Sequence, residues 1–139
     1  MARANIDDCN LLRFPKMESP EGNLTFVEGT NHIPFDIKRV FYIYDIPTLA
    51  ERGSHAHYAL HQMLICISGS CDVTVSDGTD SKTVNINCPW KGLYVPPMIW
   101  ASQEKFDPGS ILLVLASDNY IESDYIRDYK KFILAKNFE

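Results

Sequence analysis

The fold is decided by the stretch RGSHAHYALHQMLICISG, residues 52–69. His55 and His57 lie two residues apart, which puts both imidazoles on one face of a β-strand, because strand side chains alternate with a period of two. On a helix the same spacing would point the two rings well apart. The apolar, β-branched run at residues 63–67 and the turn at residues 68–70 favour the strand. Two histidines that share a strand face and point into an apolar interior indicate a functional site.

The composition is that of a soluble globular protein, and we expect one domain over residues 1–139, with 45% apolar and 22% charged residues. The formal net charge of −5 argues against a nucleic-acid partner, which requires a basic surface. No apolar run approaches the about 20 residues that span a bilayer, and residues 1–10 lack the apolar stretch of a signal peptide. Without zinc-type spacing, we expect free thiols in a reducing cytoplasm at all four cysteines: Cys9, Cys66, Cys71 and Cys88.

Short alternating segments separated by turn signals predict an all-β sandwich or barrel of about nine strands. The clearest strands are residues 24–28, 38–46, 71–76, 82–87, 99–104 and 110–117. Only the end of the chain has an apolar pattern that is typical of a helix. Apolar residues there recur at spacings near four, which predicts one helix over residues 124–135. The acidic residues 118–128 are expected to form a solvated helix surface.

Strand parity assigns several side chains to faces. In residues 38–46, Arg39 and Phe41 share one face, while Tyr42 and Tyr44 share the other, where packing against a neighbouring sheet is expected. Trp100 is expected to point outward and to pack, either in the core or in a dimer. A charge on an otherwise apolar strand face needs a partner, which favours a functional role for Arg39.

The histidine strand resembles the first half-motif of the cupins, which are small jelly-roll barrels, and residues 92–101 resemble the second. Gln62 stands where the first cupin motif has glutamate, and Ala101 stands where the second has histidine. Zinc and iron sites need three or more His, Cys or carboxylate ligands, so we expect no metal. A site with His61 as a further ligand remains an alternative, as does a pair of ordinary core histidines.

A longer series of motifs resembles the sugar 3,4-ketoisomerases, cupin enzymes that convert dTDP-4-oxo-6-deoxy-glucose to a 3-oxo isomer. The series comprises PFDIKRVFYIYD, RGSHAH, LHQ, ISGS, GLYVPPxxW and VLASDNYxESDYIRDY, and it covers nearly all of residues 24–132. The resemblance implies a jelly-roll barrel with a short C-terminal helix and a reaction without cofactor or metal. It also implies a cytoplasmic homodimer with exchanged N-terminal strands. The product would serve the synthesis of 3-amino-3,6-dideoxy sugars.

The resemblance also implies roles for individual residues. His55 and His57 match the catalytic base and its partner, and Arg39 and Arg52 match basic residues near the substrate, where arginines suit a diphosphate. Phe41 occupies a substrate-facing position at which many members carry tyrosine. This difference, together with Ala101, leaves the stereochemistry at carbon 4 of the product open. Independently of the resemblance, strand parity directs two further side chains inward, where they could hydrogen-bond the sugar: Gln62 and Gln103.

Three functions are therefore compatible with the sequence. The first is a sugar-nucleotide isomerase in which a histidine moves a proton from carbon 3 to carbon 4 through an enediolate, because imidazole exchanges protons near neutral pH. The second is a metal-dependent cupin oxygenase with His55, His57 and His61 as ligands. The third is a sugar-nucleotide binding module without chemistry, which the missing hydroxyl at Phe41 keeps open.

Overall fold

The computed structural model describes residues 4–138, and they form an all-β fold with one short C-terminal helix, as the sequence predicts. The strands are β1 (Leu11–Arg13), β2 (Lys16–Met17), β3 (Leu24–Thr25), β4 (Arg39–Ile43), β5 (Arg52–His57), β6 (Gln62–Ser68), β7 (Cys71–Ser76), β8 (Ser81–Ile86), β9 (Lys91–Val95), β10 (Trp100–Glu104), β11 (Ile111–Ala116) and β12 (Tyr125–Ile126). The helix α1 spans Tyr129–Asn137, and 3₁₀ turns occur at Ile6–Asp8 and Glu122–Asp124.

Two five-stranded antiparallel sheets face each other. The first sheet has the order β1-β9-β6-β11-β4 and the second has the order β12-β5-β10-β7-β8, while β2 and β3 form a separate hairpin. The edge strands β1 and β12 are short, with three and two residues. This order brings together strands that are far apart in sequence, as expected for a jelly roll.

The core explains why β6 is apolar at nearly every position. Leu64 and Cys66 point between the two sheets, into a buried cluster with residues of β7, β9 and β11. Met63 and Ile65 point the other way and pack under Phe14 and other residues of the N-terminal segment. Since both faces of the strand are covered, polar alternation would leave unpaired groups in the core.

The C-terminal helix covers the outer face of the second sheet. Trp100 points outward, as predicted, and its ring centroid lies 5.2 Å from that of Tyr129 and 5.8 Å from that of Phe132. Helix α1 begins later than predicted because Asp128 caps it by accepting a hydrogen bond from the Lys130 N–H. Among the residues described, no helix is long and apolar enough to cross a membrane.

One prediction about a surface segment is wrong. Residues 118–128 are not a helix surface: they form an extended loop, a 3₁₀ turn and strand β12, which pairs with β5. Tyr42 and Tyr44 share the face opposite Phe41, as predicted, and each is 60% exposed, with no sheet of residues 4–138 over them. Their rings contact each other at a centroid distance of 6.0 Å.

Candidate active site

The two histidines of β5 lie side by side, as the period-two spacing predicts. Their ring centroids are 5.0 Å apart and the rings are nearly perpendicular. Strand β5 is held between β10 and β12, with His55 opposite Ala101 and His57 opposite Tyr125. The Tyr125 ring lies 5.1 Å from the ring of His55 and 4.3 Å from that of His57. The pair therefore lies within the second sheet and contacts Tyr125 of β12, a residue that the sequence did not indicate as part of the site.

Two cavities of about 220 Å³ each lie at this pair, and Tyr125 lines both. The first, here called the barrel cavity, is lined by residues of both sheets, with His55, Arg52, Gln62, Gln103 and Arg127 as its polar lining and Phe41 among its apolar residues. The second, here called the outer cavity, is formed where the loops after β5 and β11 meet, and it is lined by His57, Arg39, Ser117, Asn119 and Asp124.

The seven predicted site residues are therefore divided between two neighbouring cavities. His55, Phe41, Arg52, Gln62 and Gln103 meet in the barrel cavity, whereas Arg39 and His57 line the outer one. Strand parity predicts that Arg39 and Phe41 share one face of β4, and this is correct. Residues two apart on a strand are nevertheless far enough apart to line different cavities.

Both inward-facing glutamines are buried, and one of them, Gln103, packs against a glycine. Gln62 and Gln103 are 8% and 7% exposed, so both are buried as predicted. Gly53 has a φ of +79°, and a Cβ there would lie 2.9 Å from Oε1 of Gln103. A larger residue at this position would be strained and would displace the glutamine. The glycine before the histidine pair therefore shapes the barrel cavity.

Both histidines are neutral at physiological pH, for related reasons. Burial lowers the pKa of His55, which Arg127 lowers further, while a hydrogen bond to the backbone of Gly53 opposes the shift. Burial is also the largest cause for His57, followed by the charges of His55, Arg39 and Arg127, and together they lower its pKa to about 3. A neutral imidazole has a free lone pair, so each ring is able to accept a proton.

The two histidines differ in access. His57 is 4% exposed, and neither of its ring nitrogens has a hydrogen-bond partner among residues 4–138. Its Nδ1 lies 3.5 Å from Oδ2 of Asp124, which is within ion-pair range but outside good hydrogen-bond geometry. The Nε of Arg39 is also buried without a partner in this part of the chain. Buried polar groups without partners are uncommon and often belong to functional sites.

Three residues of the site were missed by the sequence analysis, and all lie in or next to β12. Asp124 approaches His57, Tyr125 contacts both histidine rings, and the guanidinium of Arg127 lies 4.2 Å from the centre of the Tyr125 ring. A local signal was available: in Tyr125-Ile126-Arg127 an apolar residue is flanked by polar ones, as in a strand with one buried face.

The third histidine of the proposed metal set lies elsewhere. The Nδ1 of His61 is 2.6 Å from the Tyr94 hydroxyl, and its ring packs against Phe35 and Tyr94. It belongs to the apolar cluster outside the first sheet, not to the cavity that contains His55. Within residues 4–138, no three His, Cys, Asp or Glu side chains are grouped to hold a metal ion. The metal-dependent oxygenase therefore lacks the ligand set predicted for it.

Known proteins resemble this chain over nearly its whole length. A sequence model of the FdtA family, described as WxcM-like, C-terminal, matches residues 7–137. The TDP-4-oxo-6-deoxy-alpha-D-glucose-3,4-oxoisomerase of Aneurinibacillus thermoaerophilus is 42% identical over 132 residues, which cover 93% of this chain and 95% of that protein. A 3,4-ketoisomerase structure from Helicobacter canadensis is 42% identical with a TM-score of 0.91, covering 94% of this chain and 98% of that one.

A second solved relative carries ligands. The sugar 3,4-ketoisomerase QdtA from Thermoanaerobacterium thermosaccharolyticum, in complex with TDP, is 41% identical with a TM-score of 0.91, covering 94% of this chain and 95% of that one. A QdtA mutant with one histidine replaced by asparagine, in complex with TDP-4-keto-6-deoxyglucose, also matches with a TM-score of 0.91. These matches confirm the cupin-type fold and the resemblance to isomerases. The chain therefore belongs to the FdtA family and to the sugar 3,4-ketoisomerases.

Proposed function

We propose that this protein isomerises TDP-4-oxo-6-deoxy-glucose to the corresponding 3-oxo sugar, with His55 as the base. The observation that carries the proposal is a neutral imidazole, His55, in a small cavity with two arginines and two buried glutamines. The relatives with this fold are named for the same reaction or are bound to TDP-4-keto-6-deoxyglucose. A proton next to a carbonyl group is acidic enough for a positioned imidazole to remove.

The reaction requires two proton movements. His55 takes the proton from carbon 3, the electron pair forms the double bond between carbons 3 and 4, and the carbonyl oxygen on carbon 4 becomes an enediolate oxygen. The buried Gln62 and Gln103 supply donors that stabilise this oxygen. The hydroxyl proton on oxygen 3 then moves to oxygen 4, for which His57 is the neighbouring imidazole, and His55 returns its proton to carbon 4. Every atom is retained, as an isomerisation requires.

The size of the barrel cavity indicates which part of the substrate it holds. Its volume of about 220 Å³ lies below the about 300–1,000 Å³ of pockets that take a whole drug-sized ligand. We therefore place the hexose in the barrel cavity, with its reacting edge at the His55–His57 pair where the two cavities adjoin, and the nucleotide outside. Arg52 and Arg127 line this cavity and are solvent-exposed, so they lie at its mouth, where they suit the diphosphate. The unpartnered Nε of Arg39 suits a substrate oxygen in the outer cavity.

Replacing Arg127 with alanine is expected to weaken TDP binding about tenfold, because a hydrogen-bonded charge contributes about 1.5–3 kcal/mol. In the free protein Arg127 makes a bidentate contact with Glu122, with N–O distances of 3.0 and 2.9 Å. Loss of this contact on TDP binding offsets part of the free energy that Arg127 contributes to binding. Isothermal titration with TDP measures the change. The matched control is Arg13→Ala, an exposed arginine on β1. An Arg127 variant that binds TDP as tightly as this control would contradict the assignment.

Proton NMR in deuterated buffer tests the proposed reaction directly. With TDP-4-oxo-6-deoxy-glucose as substrate, we expect loss of the carbon-3 proton signal and the appearance of a 3-oxo sugar. The coupling constants at carbon 4 give the stereochemistry of the product, which Phe41 and Ala101 leave open. Tight TDP binding with neither exchange nor product would overturn the proposal and support the binding-module alternative.

We further propose a homodimer formed through the outer face of the first sheet. A groove of about 450 Å³ crosses this face, lined by apolar residues that include Val40, Ile67 and Leu113. Val40 is 53% and Ile67 41% exposed, and exposed apolar patches of this kind mark interfaces. Strand β1 pairs with β9 of its own chain through Leu11–Arg13. The same pairing made between two copies would exchange the N-terminal strands.

Replacing Ile67 with glutamate is expected to raise the dimer dissociation constant by about 100-fold or more, because two symmetry-related charges would be buried without partners. Sedimentation at a series of concentrations measures the shift to monomer. Leu134→Glu serves as the control, because Leu134 is 57% exposed on α1 and lies on the other side of the fold. Equal dissociation constants for both variants would show that this face is not the dimer interface.

We also infer a cytoplasmic protein whose residues 1–139 form one domain. The inference is supported by four cysteines that form no disulfide among the described residues and by one apolar cluster shared by both sheets. A nucleotide-linked sugar substrate is consistent with this compartment.

A further inference from the structure

The carboxylate of Asp124 is held at several points. Its Oδ1 accepts a hydrogen bond from the Ala59 N–H at 2.9 Å, and its Oδ2 accepts one from the Leu60 N–H at 3.1 Å. Its main-chain carbonyl also accepts the Tyr58 N–H at 3.0 Å. These three groups form the turn that follows the histidine strand, so Asp124 fixes that turn from a position more than 60 residues away.

The same carboxylate faces His57. Its Oδ2 lies 3.5 Å from Nδ1, and Asp124 is the only acidic residue within 4.0 Å of a histidine nitrogen in residues 4–138. The other charged or titratable groups that face His57 are His55 on its own strand, Arg39 on β4, and Tyr125 and Arg127 at β12. The cationic groups among them disfavour a proton on His57, whereas the Asp124 carboxylate, which lies 3.5 Å from Nδ1, favours one.

We propose that Asp124 is a positioning residue that holds His57 in the Nδ1–H tautomer and so keeps its Nε2 free to accept a proton. An Nδ1–H directed at a carboxylate is favourable, whereas an Nδ1 lone pair at 3.5 Å from the same oxygen is repelled. A carboxylate oxygen that already accepts one hydrogen bond has the capacity for another. When His57 receives a proton during turnover, Asp124 also stabilises the imidazolium. This inference rests on the proposed function for its catalytic consequence, but not for the tautomer.

The tautomer is measured directly by ¹⁵N NMR of the histidine rings. His57 is expected in the Nδ1–H form at pH 7.5 in the wild type, and Asp124→Asn is expected to shift it toward the Nε2–H form. His61, whose Nδ1 contacts the Tyr94 hydroxyl, gives an internal control whose tautomer does not change. A wild-type His57 in the Nε2–H form would overturn the proposal, whatever the enzyme's activity.

A double-mutant cycle separates positioning from a general structural role. Asp124→Asn is expected to lower kcat about 10²-fold with TDP affinity unchanged, because the loss affects proton transfer and not nucleotide binding. In the His57→Gln background the same substitution is expected to have no further effect. A further 10²-fold loss in that background would assign Asp124 to the turn alone.

The cycle is repeated with Asp124→Glu, which keeps the charge and both acceptor oxygens but displaces the carboxylate by one methylene. It is expected to reduce kcat less than asparagine does, and its effect should also vanish with His57→Gln. If Asp124→Asn does not fold, the glutamate cycle decides by the same criterion. A wild type that isomerises nothing would instead overturn the proposed function, and the tautomer measurement would still test Asp124.

Discussion

Isomerisation is expected to fall about 10³-fold when His55 is replaced by asparagine, within the range that a positioned acid or base contributes. His55 is the histidine that lines the barrel cavity, and asparagine is close in size but cannot take up a proton at neutral pH. The burial that lowers its pKa keeps the wild-type imidazole unprotonated at pH 7. The rate of carbon-3 proton exchange in deuterated buffer, followed by NMR, measures this step separately from product release.

Two controls make the result specific. His32→Asn changes a histidine outside the site, whose Nδ1 accepts the Glu28 N–H, and full exchange activity is expected. The His55 variant itself is expected to bind TDP as the wild type does, since the ring faces the cavity assigned to the hexose. Replacing both His55 and His57 with asparagine should leave no detectable isomerisation. If His55→Asn exchanged the carbon-3 proton at the wild-type rate, another group would have to be the base.

The parts of this site that the sequence predicts are those set by the local chain. His55 and His57 on one face, Gln62 and Gln103 pointing inward and Trp100 pointing outward all follow from the alternation of side chains along single strands. The apolar, β-branched run at residues 63–67 likewise indicated the strand that became β6. These features require no knowledge of which strands are neighbours.

The parts that it does not predict depend on contacts between distant segments. Asp124 and Tyr125 reach the histidines because β12 pairs with β5, and no pattern within residues 118–128 specifies that pairing. The spacing of Tyr125 from Ile121 and Tyr129 resembled a helix repeat, but the Asp128 cap delays the helix by about one turn. A local pattern of apolar residues was thus overridden by pairing with a strand far away in sequence.

The division of the site into two cavities has the same origin. Arg39 and Phe41 share a face of β4, yet the loop that carries Asp118 and Asn119 closes around the first, while the barrel interior surrounds the second. The predicted face is correct, but the packing of other segments around β4 determines which residues each side chain contacts. For this reason Arg39 is found with His57, and Arg52 is found with His55.

The free energy of unfolding is expected to decrease by about 2 kcal/mol between pH 7.5 and pH 5.0 through His57 alone. In the unfolded chain an imidazole has a pKa of about 6.5, whereas burial and neighbouring cations lower the pKa of His57 to about 3 in the folded protein. Between these two values the unfolded state binds a proton that the folded state does not. Stability therefore rises with pH across this window, and acidification favours unfolding.

Urea denaturation at the two pH values measures this difference, and His57→Gln is expected to remove the part that His57 contributes. His55 and His61, whose pKa values are also lowered by burial, add to the wild-type loss in the same direction and remain in this variant. His32→Gln, which changes a half-buried histidine outside the site, is the matched control. The pKa values of the Asp77 and Glu122 carboxylates are lowered in the folded protein. Because carboxylates in the unfolded chain titrate near about 4, these two groups add only a little to the loss by pH 5.0, in the same direction as the histidines. An equal loss in the wild type and His57→Gln would mean that the folded protein binds a proton at His57 near pH 6.5, and that Asp124 outweighs burial.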